Sequence, residues 1–150
     1  MSEGIYLNML LGIGNELNGD DGIGCYIAKR FKKRGWLAID CSTVPENYIG
    51  VVKRTKPELL VIVDAAYMNL PAGSIRRLKK EHASSAFIST HSLPLRQFIS
   101  EIEQYAKEIV LIGIQPKQTT IPKLSQEAKD AANIVIKALE QGNLQEMEML

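Results

Sequence analysis

LLVIVD, Leu59 to Asp64, sets five apolar residues in a row and ends them on an acid. A run of that length without polar alternation predicts a strand buried on both faces, the pattern of a parallel sheet with helices above and below. Upstream, Ile5 to Gly12 repeats the pattern, and Leu37 to Cys41 reads as another strand. Between them Ile23, Tyr26, Ile27 and Phe31 recur at three- and four-residue steps, with Asp20 and Asp21 in front and Lys32, Lys33 and Arg34 behind. This is an amphipathic helix whose charges suit its dipole. Tyr48 to Arg54 predicts a short helix. Downstream, Ser74 to Leu78 follows the turn residues Pro71 and Gly73 and is polar enough for a sheet edge. Ala86 to Ser89 is a further short strand candidate. Pro94 opens a helix with the stripe Leu95, Phe98, Ile99 and Ile102, Ile109 to Ile114 is a buried strand, and Ser125 enters a final helix marked by Ala128, Ala131, Ala132, Val135, Ala138 and Leu139. Residues 142–150 are expected to fray. Strands alternating with helices predict an α/β fold, a three-layer, mostly parallel twisted sheet with helices on both faces.

The composition narrows the function. A chain of 150 residues with 45% hydrophobic and 23% charged residues, and no repeat or linker, fits one domain over 1–150. Eighteen Lys+Arg against seventeen Asp+Glu give a net charge of +1, so no broad field commits the chain to nucleic acid or anionic lipid. Lys29 to Arg34 reads as a solvated helix end. The apolar runs fall far short of the roughly 20 residues that span a bilayer, and the first residues do not form a signal peptide. No membrane insertion and a cytoplasmic location are expected. Cys25 and Cys41 lack CxxC spacing and are expected to be reduced thiols.

In such sheets, ligands bind beyond the carboxyl ends of the strands. The segment after the first strand, GIGNELNGDDGIG at Gly12 to Gly24, is the most unusual in the chain. As a dinucleotide fingerprint its spacing fails, because Leu17 stands where the third glycine should fall and Asp20 and Asp21 repel phosphate from the helix start. Two readings stay open for the acid pair: a helix N-cap worth about 1 kcal/mol, or one capping aspartate and one displayed into a cleft.

Asp64 ends a buried strand, where an acid is costly unless hydrogen-bonded or ligating. His91, in STHSLP, is a loop histidine that taken alone is more often structural, and His82 in KKEHASS reads as a solvated turn. Asp21, Asp64 and His91 stand in loops that this topology can bring to one sheet edge. Two carboxylates and an imidazole make a mixed donor set for a borderline divalent ion such as nickel or zinc, with positions left open. The chain has no HExxH, GxSxG elbow or zinc-type cysteine cluster.

Over Ile5 to Leu139 the chain resembles the hydrogenase maturation endopeptidases, through GNELNGDDGIG (Gly14 to Gly24), VPEN (Val44 to Asn47), LLVIVDA (Leu59 to Ala65), STHSLPL (Ser89 to Leu95) and LIGIQP (Leu111 to Pro116). VPEN, HSLPL and GIQP are most similar to the branch serving hydrogenase-3-like, membrane-associated enzymes. The resemblance implies a five-stranded sheet, Asp21 and Asp64 as catalytic residues, and Asp21, Asp64 and His91 as metal contacts. Some relatives have glutamate at the first of these positions. Glu16 is a competitor there, and Glu16, Asp20 and Asn15 are the nearby supporting groups. The implied substrate is the precursor of a nickel–iron hydrogenase large subunit, cut at its C-terminal extension. The implied metal is nickel carried by that precursor, with zinc or cadmium as substitutes in vitro. A peptide substrate needs a groove or sheet edge, and Ser74 to Leu78 is a candidate for β-augmentation against the plainer reading of a solvated edge guarded by Arg76, Arg77, Lys79 and Lys80. A non-enzymatic nickel-binding chaperone on the same fold is the alternative, because no nucleophile is evident.

Overall fold

Strand formation follows wherever both rows of side chains find cover. The computed structural model describes residues 6–83 and 94–150. Within them, β1 (Asn8–Ile13), α1 (Ile23–Arg30), β2 (Trp36–Ser42), α2 (Ile49–Thr55), β3 (Leu59–Ala65), β4 (Ile75–Leu78), α3 (Leu95–Ile102), β5 (Glu108–Ile114) and α4 (Gln126–Gln141) build an α/β fold. The sheet has five strands in the order β2-β1-β3-β5-β4. β1 pairs in parallel with β2 and β3, β3 pairs in parallel with β5, and β4 closes the edge antiparallel to β5. The candidate strand Ala86 to Ser89 lies outside the described residues.

The two-residue alternation of the strands sorts the core into two layers. Met9, Leu11, Leu60, Ile62 and Leu111 face α2 and α3 and pack with Val52, Phe98, Ile99 and Ile102. Leu10, Val61, Val63, Ile112 and Ile114 face α1 and α4 and pack with Ile27, Phe31, Ala131, Ala132 and Val135. Cover on both sides explains why β1 and β3 read as nearly unbroken apolar runs. Four alanines along α4, at 128, 131, 132 and 138, keep that helix thin enough to lie against the sheet. Ser125 caps it, its Oγ accepting from Ala128 N–H at 3.1 Å, and Gly142 ends it at φ 71°. Pro94 stands at the N-cap of α3. At the outer edge of the sheet, Phe31 and Trp36 meet edge to face, ring centroids 5.2 Å apart.

Residues 142–150 do not fray. Leu144 is buried, and the chain then runs beside β4: Arg77 N–H donates to Glu148 O at 2.8 Å, and Leu150 N–H donates to Arg77 O at 2.9 Å. The Arg77 guanidinium adds bonds to the carbonyls of Met147 (2.9 Å) and Gln145 (3.0 Å). At Arg77, therefore, the β4 edge is neither an open platform for a peptide nor a solvated border. The chain's own tail pairs with it there. The physical reason is that main-chain groups do this pairing, and polar residues such as Gln145, Glu146 and Glu148 give no apolar signal of it.

Candidate active site

The strand order reverses between β1 and β3: β2 lies on one side of β1 and β3 on the other. Their connections leave by opposite faces, α1 toward one and α2 toward the other. In open α/β sheets such a reversal, here at the carboxyl ends of β1 and β3, is the usual place for ligands. The segment Gly12 to Gly24 leaves β1 at that end and leads into α1.

The glycines of that segment serve close packing. A Cβ on Gly24 would collide with the carbonyl oxygens of Ile13 and Val63, so α1 begins directly on the ends of β1 and β3. A Cβ on Gly14, at φ +154°, would strike the Asp21 carbonyl. The chain thus folds back on itself between residues 14 and 21, and its turn Gly19–Gly22 packs against β3. Asp21 lies in this turn and is buried. Asp64, the penultimate residue of β3, is fully buried, and one carboxylate oxygen accepts from Ala65 N–H at 2.7 Å. By strand alternation it shares the face of Leu60 and Ile62, toward α2 and α3. Across the ladder its partner is Gly113. Two acids far apart in the chain are thereby carried to one end of the sheet.

The other candidates are placed differently. Asp20 caps no helix, and neither the turn nor α1 has a side-chain cap. Its buried carboxylate instead accepts from Lys117 N–H at 2.8 Å, Ser125 N–H at 2.7 Å and Ser125 Oγ at 2.7 Å. It is a strap between the acid turn and the start of α4. Asn15 Oδ1 accepts from Leu17 N–H at 2.9 Å and shapes the loop. Glu16 points its carboxylate to Lys29 Nζ at 2.8 Å, and Lys29 also faces Asp40 at 3.5 Å. Glu16 is thus engaged in a half-exposed surface chain of charges. His91 lies outside the described residues. Among the described residues no group of three or more His, Cys, Asp or Glu side chains could hold a metal ion.

Titration of the neighbouring groups follows from burial. Burial pushes the Cys25 thiol far up, helped by its hydrogen bond with Asp40 and by the charges of Asp40, Glu16 and Asp64. Cys25 Sγ also donates to Gly14 O at 3.4 Å. A thiol held in its protonated form is a poor nucleophile. Cys41 is pushed up to about 12, by burial first and then by Asp40. Asp40 itself is half-buried, which alone raises a carboxyl. The bonds from Cys25 and the Ser42 N–H and the charge of Lys29 outweigh that and hold it below its usual range.

Two glutamines escaped sequence reasoning. Gln115 Oε1 accepts from Met68 N–H at 2.7 Å, tying the loop after β3 to the end of β5. The Gln118 carbonyl accepts from Asp20 N–H at 2.9 Å, tying the loop after β5 to the acid turn. The only sequence signal for either was the GIQP stretch at 113–116 and the residues that follow it.

Comparison with known proteins agrees with this architecture. The family model for hydrogenase maturation protease, HycI, matches residues 23–142. The hydrogenase 3 maturation protease of Escherichia coli is 34% identical, over 89% of this chain and 88% of that protein. The solution structure of the endopeptidase HycI from Escherichia coli superposes with a TM-score of 0.87 at 32% identity, covering 97% of both chains. The crystal structure of a [NiFe] hydrogenase maturation protease HycI from Thermococcus kodakarensis gives 0.79 at 31% identity, covering 95% and 94%. With its sheet, its acid turn and its strand-end aspartate in the setting described above, the chain belongs to the hydrogenase maturation proteases and is a peptide-bond hydrolase.

Proposed function

We propose that this hydrolase removes the C-terminal extension of a nickel–iron hydrogenase large-subunit precursor, and that it reads the nickel already bound there through Asp21, Asp64 and His91. The observation that carries the reading is the packing of the Asp21 turn against the strand that ends in Asp64, at the switch point of the sheet. α3, the helix entered three residues after His91, covers the same face of the sheet that Asp64 shares.

Carboxylates and an imidazole suit a borderline divalent ion, but they hold nickel less firmly than the thiolates that would carry it on the precursor. The protease can therefore inspect the ion without extracting it. Nickel belongs to the substrate in this scheme, with zinc or cadmium able to stand in for it in vitro. Asp21 and Asp64 are the residues we assign to the reaction, one as base toward the attacking water and the other holding the substrate's metal beside the scissile carbonyl. Cys25, buried and held protonated, is not the nucleophile. No helix among the described residues is long and apolar enough to cross a membrane, and the two buried free cysteines suit the reducing cytoplasm where such a precursor would be finished.

The test is to incubate the protein with nickel-loaded precursor and follow the precursor's mass. Loss of a short C-terminal peptide is the expected result. Asp64→Asn and His91→Ala are each expected to lower the rate by 100-fold or more, roughly the scale on which acid–base groups contribute, with circular dichroism unchanged. Wild-type turnover in both variants would overturn the assignment, and stable binding of an uncut precursor would favour a chaperone.

A further inference from the structure

Exposed large apolar side chains gathered in one place mark contact surfaces, whereas single scattered ones are ordinary. Three of the exposed ones stand in the loops after β1, β3 and β5: Leu17 at 74% exposure, Tyr67 at 55% and Ile121 at 58%. The main chain is hydrogen-bonded at Leu17 and Ile121 and on both sides of Tyr67. Leu17 N–H donates to Asn15 Oδ1, and Ile121 N–H donates to Gln118 Oε1, both at 2.9 Å. Tyr67 lies between two anchored residues: Ala66 N–H donates to Ile114 O at 2.9 Å and Met68 N–H to Gln115 Oε1 at 2.7 Å.

The loops also touch one another. Asp20 N–H reaches Gln118 O, and a Cβ on Gly19 would press on the Gln118 side chain. Leu17 and Ile121 therefore project from loops in direct contact, while Tyr67 follows Asp64 by three residues in the loop that Gln115 ties to the end of β5. These three stand around the carboxyl ends of β1, β3 and β5, the same pole as Asp21 and Asp64.

We propose that Leu17, Tyr67 and Ile121 form an apolar rim around the carboxylate site, and that this rim docks an apolar segment of the hydrogenase large-subunit precursor beside its cleavage point. The proposal rests on the assignment of Asp21 and Asp64 to the reaction. It commits to the precursor because whatever is cut at the two acids must lie across the loops that surround them. In this arrangement the acids and the metal select the reacting bond, and the rim supplies binding energy remote from it, so the rim sets KM more than kcat.

The experiment compares wild type with the triple variant Leu17→Ser/Tyr67→Ser/Ile121→Ser, with Leu17→Ser alone, and with Ile134→Ser, an equally exposed position on α4. The probe is the host's own nickel-loaded large-subunit precursor, followed by mass for cleavage and by interferometry for binding. The triple variant is expected to raise KM and Kd by about tenfold or more, the scale of lost hot-spot contacts, with kcat within twofold. Leu17→Ser is expected to show part of that change and to serve alone if the triple variant loses its fold by circular dichroism. Ile134→Ser is expected to match wild type. Unchanged KM and Kd in the rim variants, with wild-type cleavage intact, overturns the rim while leaving the proteolytic reading in place. Binding without cleavage by the wild type overturns the proteolytic reading, and the Kd comparison then decides the rim. Neither binding nor cleavage by the wild type overturns both.

Discussion

The carboxyl ends of the strands and the outer edge beside β4 are ordered by different means. At the carboxyl end, side chains and their absence do the work: Asp20 straps the acid turn to Lys117 and Ser125, and Gly14 and Gly24 let backbone lie on backbone. Along the β4 edge, the tail after α4 is fixed by main-chain bonds to Arg77 and by one buried leucine. The first kind of order is specific to residue type and breaks with single atoms. The second tolerates substitution and breaks with truncation.

The sharpest break is expected at Asp20. Asp20→Ala takes the acceptor from three part-buried donors at about 1–1.5 kcal/mol each, so urea denaturation should show a loss of about 3–4.5 kcal/mol. Cleavage should fall with it, because the turn that carries Asp21 loses its tie to α4. Gly24→Ala comes next. Its methyl meets two carbonyl oxygens that belong to the sheet, and overpacking of this kind costs about 1–3 kcal/mol, read as a lowered Tm. Removing residues 144–150 exposes the surface under Leu144 and should cost about 2 kcal/mol in the same assay, with kcat for precursor cleavage within twofold of wild type. Loss of activity on that truncation would show that the two regions are coupled.

The smallest effect is at Asp40. Its carboxyl is held below its usual range in the fold, so its stabilising share is present above the unfolded value of 3.8 and is lost as pH falls through the lower folded value. The pair with Lys29 is half-exposed, which limits that share to less than about 1 kcal/mol. The urea midpoints of wild type and Asp40→Asn should therefore differ at neutral pH and converge below pH 4.

Legibility in the sequence divides along the same line. LLVIVD announced β3 and the end of Asp64 because burial on both faces leaves an unbroken apolar run. The helix stripes of α1, α3 and α4 were equally plain, since packing demands their spacing. Boundaries shifted by a residue or two where caps and register decide, as with β2 beginning at Trp36 and ending at Ser42. In the sequence Asp20 suits a cap or nearby support, while its partners at 117 and 125 stand about a hundred residues away and have no local signature. The order of the tail is silent in the sequence, because polarity of side chains says nothing about which backbone groups are paired. For Asp21 and Asp64 the motifs gave positions, and the strand order explains why those positions share a pole.

The single tryptophan has a practical use that follows from its place. Trp36 meets Phe31 edge to face and shares a shallow hollow with Leu59, Val110 and Leu144, at the end of the sheet away from the acids. Its fluorescence is therefore a native lamp for the basal half of the molecule: detachment of the tail should alter its emission, whereas a substrate seated over Asp21 and Asp64 should leave it dark to the event.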